Sequence, residues 1–269
     1  MKVAICFYGS IGRMESYRHG QLKAKWIDIE IPYRHYKKYI FDKNKNCDID
    51  IFCHSSSKGF HAKLAELYQP KKLCVENNPF DEQVDSTKIR NYANQSRWYS
   101  TYKVNQMREE YEIEQQKWWK IKKFKYDLVF LTRYDVVFFE GIRFDELDPN
   151  IFYIQGTKYD DVGRNWAKVG RTLDWWFISS PENMSKFCNA YTKFDKLTKE
   201  TKKLGLPSYD QHCIAYQQIK NYNFETEELL YREDDNVLCR FIQRKFHERH
   251  RQNAWELDTS TGLYKRKIL

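Results

Sequence analysis

An α/β protein, with helices covering both faces of a mainly parallel central sheet, is the fold class this sequence predicts. Three observations predict it. Runs rich in Ile, Val, Leu and Phe at Lys2–Tyr8, Asp48–His54 and Tyr126–Glu140 are too continuous for strands with one wet face, and read as strands buried on both sides. Segments with apolar residues at helical spacing fall between such runs. The first run ends in Gly9-Ser10-Ile11-Gly12-Arg13, where bare backbone and a cation follow a strand, the usual start of a nucleotide-binding unit.

Taken in order, Tyr33, Tyr36, Tyr39 and Ile40 mark a first helix. Asp48–His54 is a second strand, opened by Asp48-Ile49-Asp50. That triplet has the form of a metal-binding Asp-x-Asp but stands where the strand begins, whereas ligands gather at the carboxyl ends of parallel strands, so it is set aside. His54, at the other end, is better placed, with capping and core roles competing. Lys72–Glu76 is a brief third strand, and a long helix runs from about Asn94 to Lys120 with Trp98, Tyr99, Tyr102, Met107 and Tyr111 as candidate buried positions.

Tyr126–Glu140 (YDLVFLTRYDVVFFE) is the most informative stretch, because Thr132-Arg133-Tyr134-Asp135 interrupts its apolar run. A buried cation and carboxylate are costly unless partnered. Arg133 and Asp135 therefore either neutralise each other as a structural pair or mark a site. Ile151–Gln155 is a further strand. Residues 156–171, with Asp160-Asp161, read as a polar loop, and Leu173-Asp174-Trp175-Trp176-Phe177-Ile178 returns to apolar character. Ser179-Ser180-Pro181-Glu182 combines a hydroxyl cap, an early proline and an acid, so a helix starts there with Met184, Phe187, Cys188, Tyr191 and Phe194 as its buried stripe. Pro207-Ser208-Tyr209-Asp210-Gln211 opens another helix to about Lys220, and Val237–Phe241 is a final strand. No repeat and no Pro, Gly or Ser-rich linker divides the chain.

The composition bounds the function. A chain of 269 residues with 17% aromatic content and few Gly and Pro buries a sizeable core and is not disordered. The net charge of +9 predicts a polyanionic partner such as nucleic acid, anionic lipid or a phosphate-bearing ligand, against the bland alternative of a solvated basic face. Much of the excess lies in Lys117–Lys125 (KWWKIKKFK) and in the tail after Arg240. Seven cysteines without a Cys-x-x-Cys pair or zinc-finger spacing to histidine argue for a reduced interior rather than disulfides or structural zinc. The N-terminus lacks the apolar core and cleavage site of a secretion signal, and no stretch approaches the roughly 18 apolar residues of a membrane span, so the expectation is a soluble, cytoplasmic protein.

The segments KVAICFYGSIGR, DIDIFCHS, RWYSTYKVNQM, YDLVFLTRYDVVF, DWWFISSPENM and SYDQHCIAYQQI, in that order over roughly residues 2–220, resemble the GT-A fold of nucleotide-sugar-dependent glycosyltransferases. The resemblance is to the small enzymes of bacteria and large DNA viruses that build surface glycans. It implies one GT-A-like catalytic domain over 1–269, with a nucleotide-binding half to about 125, a metal and acceptor half at about 126–240 and a basic tail from about 241. It implies transfer of a sugar from a UDP- or GDP-linked donor to a hydroxyl of a glycan or glycoprotein acceptor, in the host cytoplasm if the protein is viral, without nucleic acid as partner.

In that family the central strand ends in Asp-x-Asp or a reduced form of it, whose last Asp holds a divalent cation against the donor diphosphate. Carried over, Asp135 is the implied ligand of Mn²⁺ or Mg²⁺. Arg133 stands where the first Asp would be, and either shares in stabilising the leaving group or holds Asp135 in place. The resemblance sets Phe7, Tyr8, Gly9 and Arg13 around the nucleotide, Arg13 on phosphate, and Ser100 and Lys103 near the donor sugar or diphosphate. Asp174 falls where the acceptor meets a general base. Trp175 or Trp176 stacks on a sugar or is a core aromatic, Asp210 contacts the acceptor or caps a helix, and His247 or His250 completes the metal or phosphate site.

Two other classes compete. A methyltransferase using S-adenosylmethionine also opens with strand and glycine turn, but calls for a richer glycine loop and an acid ending the second strand, which here ends in Cys53-His54-Ser55. A basic nucleic-acid-binding module would use KWWKIKKFK and the tail, without any RNP, KH or zinc signature to support it.

Overall fold

Strand β1 (Lys2–Gly9) explains its own continuous apolar run. Val3, Ile5 and Phe7 enter one core while Ala4, Cys6 and Tyr8 enter another, and none of the six is more than 1% exposed. The computed structural model describes residues 1–12, 26–80, 89–118, 124–156, 170–206, 210–231, 235–239 and 255–266. Around β1 lie β2 (Asp48–Ser55), β3 (Lys72–Val75) and β4 (Leu128–Arg133). With β6 (Phe152–Gly156), β7 (Trp176–Ser179) and β8 (Thr226–Tyr231) they form one sheet, in the order β3-β2-β1-β4-β7-β6-β8. Only β7 runs against the other six among these strands, so the expected mainly parallel sheet is present.

Helices cover both faces. α1 (Glu30–Tyr36) and α2 (His61–Tyr68) put Ile31, Tyr36, Leu64 and Tyr68 into the core shared with Phe7. The second face is covered by α3 (Ile89–Trp118), α4 (Pro181–Cys188), α5 (Phe194–Lys203) and α6 (Gln211–Asn221), through Trp98, Val104, Met184, Phe187, Leu197, Ile214 and others. α4 starts as its sequence predicts, with Ser180 accepting from the Asn183 amide at 3.3 Å and proline in the first turn. It stops at Cys188, and a short 3₁₀ turn separates it from α5, so the expected single stripe to Phe194 is split between two helices.

The Tyr126–Glu140 run is not one strand. β4 ends at Arg133, the chain turns at Tyr134 and Asp135, and β5 (Val136–Phe138) leaves the sheet to pair with β9 (Asn236–Leu238) in a separate ribbon. The polar interruption is thus a turn at the carboxyl end of the sheet's middle strand. Within the predicted basic tail, β10 (Trp255–Asp258) and β11 (Leu263–Arg266) form a hairpin that docks on α1, the Tyr264 amide donating to His35 Nε2 at 3.0 Å. All seven cysteines are free thiols. Among the described residues no helix is long and apolar enough to cross a membrane.

Candidate functional site

Parallel register lines up side chains at the carboxyl edge of the sheet. Tyr8 of β1 pairs in register with Arg133 of β4 on one side and His54 of β2 on the other, and His54 in turn with Cys74 of β3. Because side chains alternate along a strand, all four face the same way, toward α3. α3 crosses the row with Arg97, Ser100 and Lys103 at helical spacing, which places them on one face. The Arg97 guanidinium lies 5.2 Å from the Tyr8 ring and Ser100 Oγ 2.6 Å from His54 Nδ1.

Two charged clusters occupy this edge. In the first, Arg133 Nε donates to Asp135 Oδ1 at 2.7 Å and Nη2 to Oδ2 at 2.8 Å, a fork against a carboxylate. Asp135 is fully buried, while the Arg133 side chain is 18% exposed. Gly12, at φ +95°, brings bare backbone against the carboxylate: a Cβ there would lie 3.1 Å from Oδ2. Burial works against the guanidinium charge, yet Asp135 and then Asp174 outweigh it and hold Arg133 charged.

In the second cluster Asp174, also fully buried, lies between two nitrogen donors: Arg97 Nε lies 2.8 Å from Oδ2 and His212 Nδ1 3.1 Å from Oδ1. These contacts are close without aligned hydrogen bonds at the carboxylate, so charge rather than hydrogen-bond geometry holds it. Its backbone carbonyl accepts from Tyr8 Oη at 2.5 Å and Arg97 Nη2 at 3.0 Å. Burial pushes the Asp174 carboxyl up, but His212, Arg97 and Arg133 together bring it below the ordinary carboxylate range. Burial pushes the Tyr8 hydroxyl up to about 12, leaving it a neutral donor. His212 Nδ1 also lies 3.2 Å from the Thr172 carbonyl. A carbonyl only accepts, so Nδ1 carries a proton.

The sequence-predicted residues divide accordingly. Tyr8, Gly9, Arg133, Asp135 and Asp174 come together at this edge. Gly9 (φ +97°) turns the chain there, and its amide donates to Ser100 Oγ at 2.7 Å. Ser100 is thereby turned inward, 3% exposed between Gly9 and His54. Lys103 stands near His54, Cys74 and Glu76. Phe7 points to the opposite face, fully buried against the rings of Tyr36, Tyr68 and Tyr134, and is a core residue. Trp175 and Trp176 are likewise core, at 4% and 0% exposure. Asp210 is the N-cap of α6, accepting from the His212 amide at 2.9 Å, and pairs with Arg171 at 3.1 Å. Arg13, Asp160, Asp161, His247 and His250 lie outside the described residues.

Arg97 and His212 were not among the expected site residues. Each stands inside a segment that carries the resemblance, three residues before Ser100 and two after Asp210, and only their distant partner Asp174 reveals them.

Among the described residues this donor set does not fit the implied cation. Asp135 gives both oxygens to Arg133, and Arg133 offers none. Among the described residues the only trio at metal-ligand spacing is His54, Cys74 and Glu76, which does not include Asp135. Its His54 is already engaged, Nδ1 with Ser100 Oγ at 2.6 Å and Nε2 with Glu76 Oε1 at 3.0 Å.

No protein-family model matches this sequence, and no curated protein sequence matches it. Among solved structures, the chain is similar to mouse xyloside xylosyltransferase 1 in its apo form, with a TM-score of 0.40 and 8% identity, over 85% of this chain and 84% of that one.

Proposed function

We propose that this chain is a glycosyltransferase that moves a sugar from a nucleoside-diphosphate donor to a hydroxyl of a glycan acceptor. The observation that carries the reading is the meeting of two charged clusters, Arg133–Asp135 and Asp174–Arg97–His212, at the carboxyl ends of the two middle parallel strands. That is where open α/β sheets bind their ligands. The order of the GT-A-like segments supports it, as does the position of Arg133 at the end of the fourth of seven strands.

In this reading the donor diphosphate lies against the Arg133 guanidinium and the backbone turn at Gly9. The acceptor oxygen attacks the anomeric carbon, the bond from that carbon to the diphosphate oxygen breaks, and the diphosphate leaves with the electron pair. The acceptor proton goes to the Asp174–His212 pair. Asp174 itself is fully buried between Arg97 and His212, while the His212 side chain is 20% exposed and turns Nδ1 toward Asp174. His212 is therefore the proton acceptor, and Asp174 orients the ring and stabilises the imidazolium that forms.

A screen of UDP- and GDP-sugars for slow donor hydrolysis, read as released nucleoside diphosphate with Mn²⁺ and separately with EDTA, tests the reading. Release from at least one donor is expected. No release from any donor, together with no thermal stabilisation by UDP or GDP, would sink it.

A further inference from the structure

We infer that Arg133 takes the place of the divalent cation at the donor diphosphate, so that this site binds its nucleotide without metal. The inference rests on the proposed donor reading and on four observations. The Asp135 carboxylate is fully buried and both its oxygens accept from one guanidinium, at 2.7 and 2.8 Å. Gly12 closes the Oδ2 side so tightly that a Cβ would meet that oxygen at 3.1 Å. The Asp135 carbonyl is turned the other way, accepting from the Cys239 amide at 2.7 Å. Among the described residues no group of three carboxylate, imidazole or thiol ligands includes Asp135. A cation entering there would have to break a bidentate, buried ion pair and would gain one carboxylate in return.

The charge at the site is the same either way. Two carboxylates with one divalent cation sum to zero formal charge, and so do one guanidinium and one carboxylate. What the diphosphate meets is the exposed member of the pair. A guanidinium carries five N–H donors in a plane and stays charged at any ordinary pH. Two of those donors go to Asp135, so Nη1 and the second hydrogen of Nη2 can face phosphate oxygens in the fork geometry that suits them. Asp135 then acts as a positioning residue that fixes the plane of Arg133, and Gly12 suits its place because at φ +95° a side chain would be strained and its Cβ would press on Asp135.

Two measurements test this. In the first, Mn²⁺ is titrated into the protein alone and followed by electron paramagnetic resonance. The wild type is expected to show no tight site among these residues, whereas Arg133→Asp, which supplies a second carboxylate two residues before Asp135, gains one. A wild-type Mn²⁺ site that disappears in Asp135→Asn overturns the inference. In the second, UDP and GDP binding is measured by calorimetry. Wild-type affinity is expected to agree within about twofold between EDTA and Mn²⁺. Arg133→Lys, which keeps the charge and loses the fork, is expected to bind about tenfold more weakly in both, the scale of one or two charge-assisted hydrogen bonds. Wild-type binding that vanishes in EDTA overturns the inference. If neither nucleotide binds under any condition, the donor reading falls, and the manganese titration still decides the metal question. Circular dichroism on each variant separates these effects from loss of fold.

Discussion

Arg97 and Arg108 stand three helical turns apart on α3, 8% and 1% exposed, and their surroundings could hardly differ more. Arg108 is held chiefly by its own helix, with Nε alone lacking a hydrogen bond. Nη1 donates to Glu112 at 2.6 Å, Nη2 to Asn105 at 2.9 Å and Glu109 at 3.2 Å, and Ser185 of α4 adds one bond at 2.8 Å. Arg97 takes its charge partner from 77 residues away in sequence, shares that carboxylate with His212, and leaves Nε and Nη1 without aligned hydrogen bonds. A buried cation whose partners are local and aligned is scaffold. One whose partner is remote, shared and imperfectly aligned sits where a ligand binds, because buried polar groups are otherwise satisfied almost everywhere.

The largest effects that would break this contrast belong to the Arg97 end. Asp174→Asn and His212→Ala are each expected to lower the transfer rate by about 10²–10⁴-fold, the range for losing an acid–base group, with nucleotide affinity changed less than about twofold. Steady-state kinetics beside calorimetry checks the split. Transfer at near wild-type rate in His212→Ala would remove His212 from the reaction and return the base to Asp174 or to another group.

Next comes the pair Arg97→Met and Arg108→Met, compared directly. Arg108→Met leaves Glu112, only 12% exposed, without its cation, and is expected to cost about 3 kcal/mol of stability in denaturant titration while the rate per folded molecule is unchanged. Arg97→Met strands Asp174 and is expected to cost a similar amount and also to lower the rate. Equal rates in the two variants would erase the distinction between scaffold and site.

Particular residues show how far this was readable in advance. The continuous runs of β1, β2 and β4 announced strands with no wet face, and the Arg133–Asp135 interruption announced its own pairing, because both partners lie within three residues. The same alternation already separated Phe7 from Tyr8: neighbours on a strand face opposite ways, so only one of them can reach the row that holds Arg133. Arg97 and His212 were unreadable for the opposite reason. On a single helix, arginine and histidine look like an exposed face, and their burial is created by Asp174 far along the chain. β8, with Thr226-Glu227-Glu228, carries no apolar pattern because it is the last strand of the sheet and three of its residues face solvent. The reversal of β7 leaves no mark either, since burial on both faces looks the same in either direction.

The smallest effect concerns pH, and it must be known before rates at the two ends of α3 are compared in acid. His35 is fully buried, and its tautomer is set from both sides: the Tyr264 amide donates to Nε2 at 3.0 Å, so Nδ1 carries the proton and donates to the Phe138 carbonyl at 2.7 Å. A second proton at Nε2 would face the Tyr264 N–H, and burial accordingly lowers the His35 pKa from 6.5 to about 4, against the carbonyl that favours protonation. Because the folded value lies below the unfolded one, the unfolded chain takes the proton first as pH falls. His35 stabilises the fold fully above about pH 6.5, and that contribution is lost progressively down to about pH 4. Between pH 7 and pH 5 the loss is expected to be about 2 kcal/mol, from about 1.4 kcal/mol per pH unit across the window. Denaturant titrations at both pH values check it, with His35→Gln as the comparison: the variant is less stable at pH 7 and lacks this part of the acid slope. An unchanged slope in the variant would mean that the contact between β11 and α1 does not depend on the charge of His35.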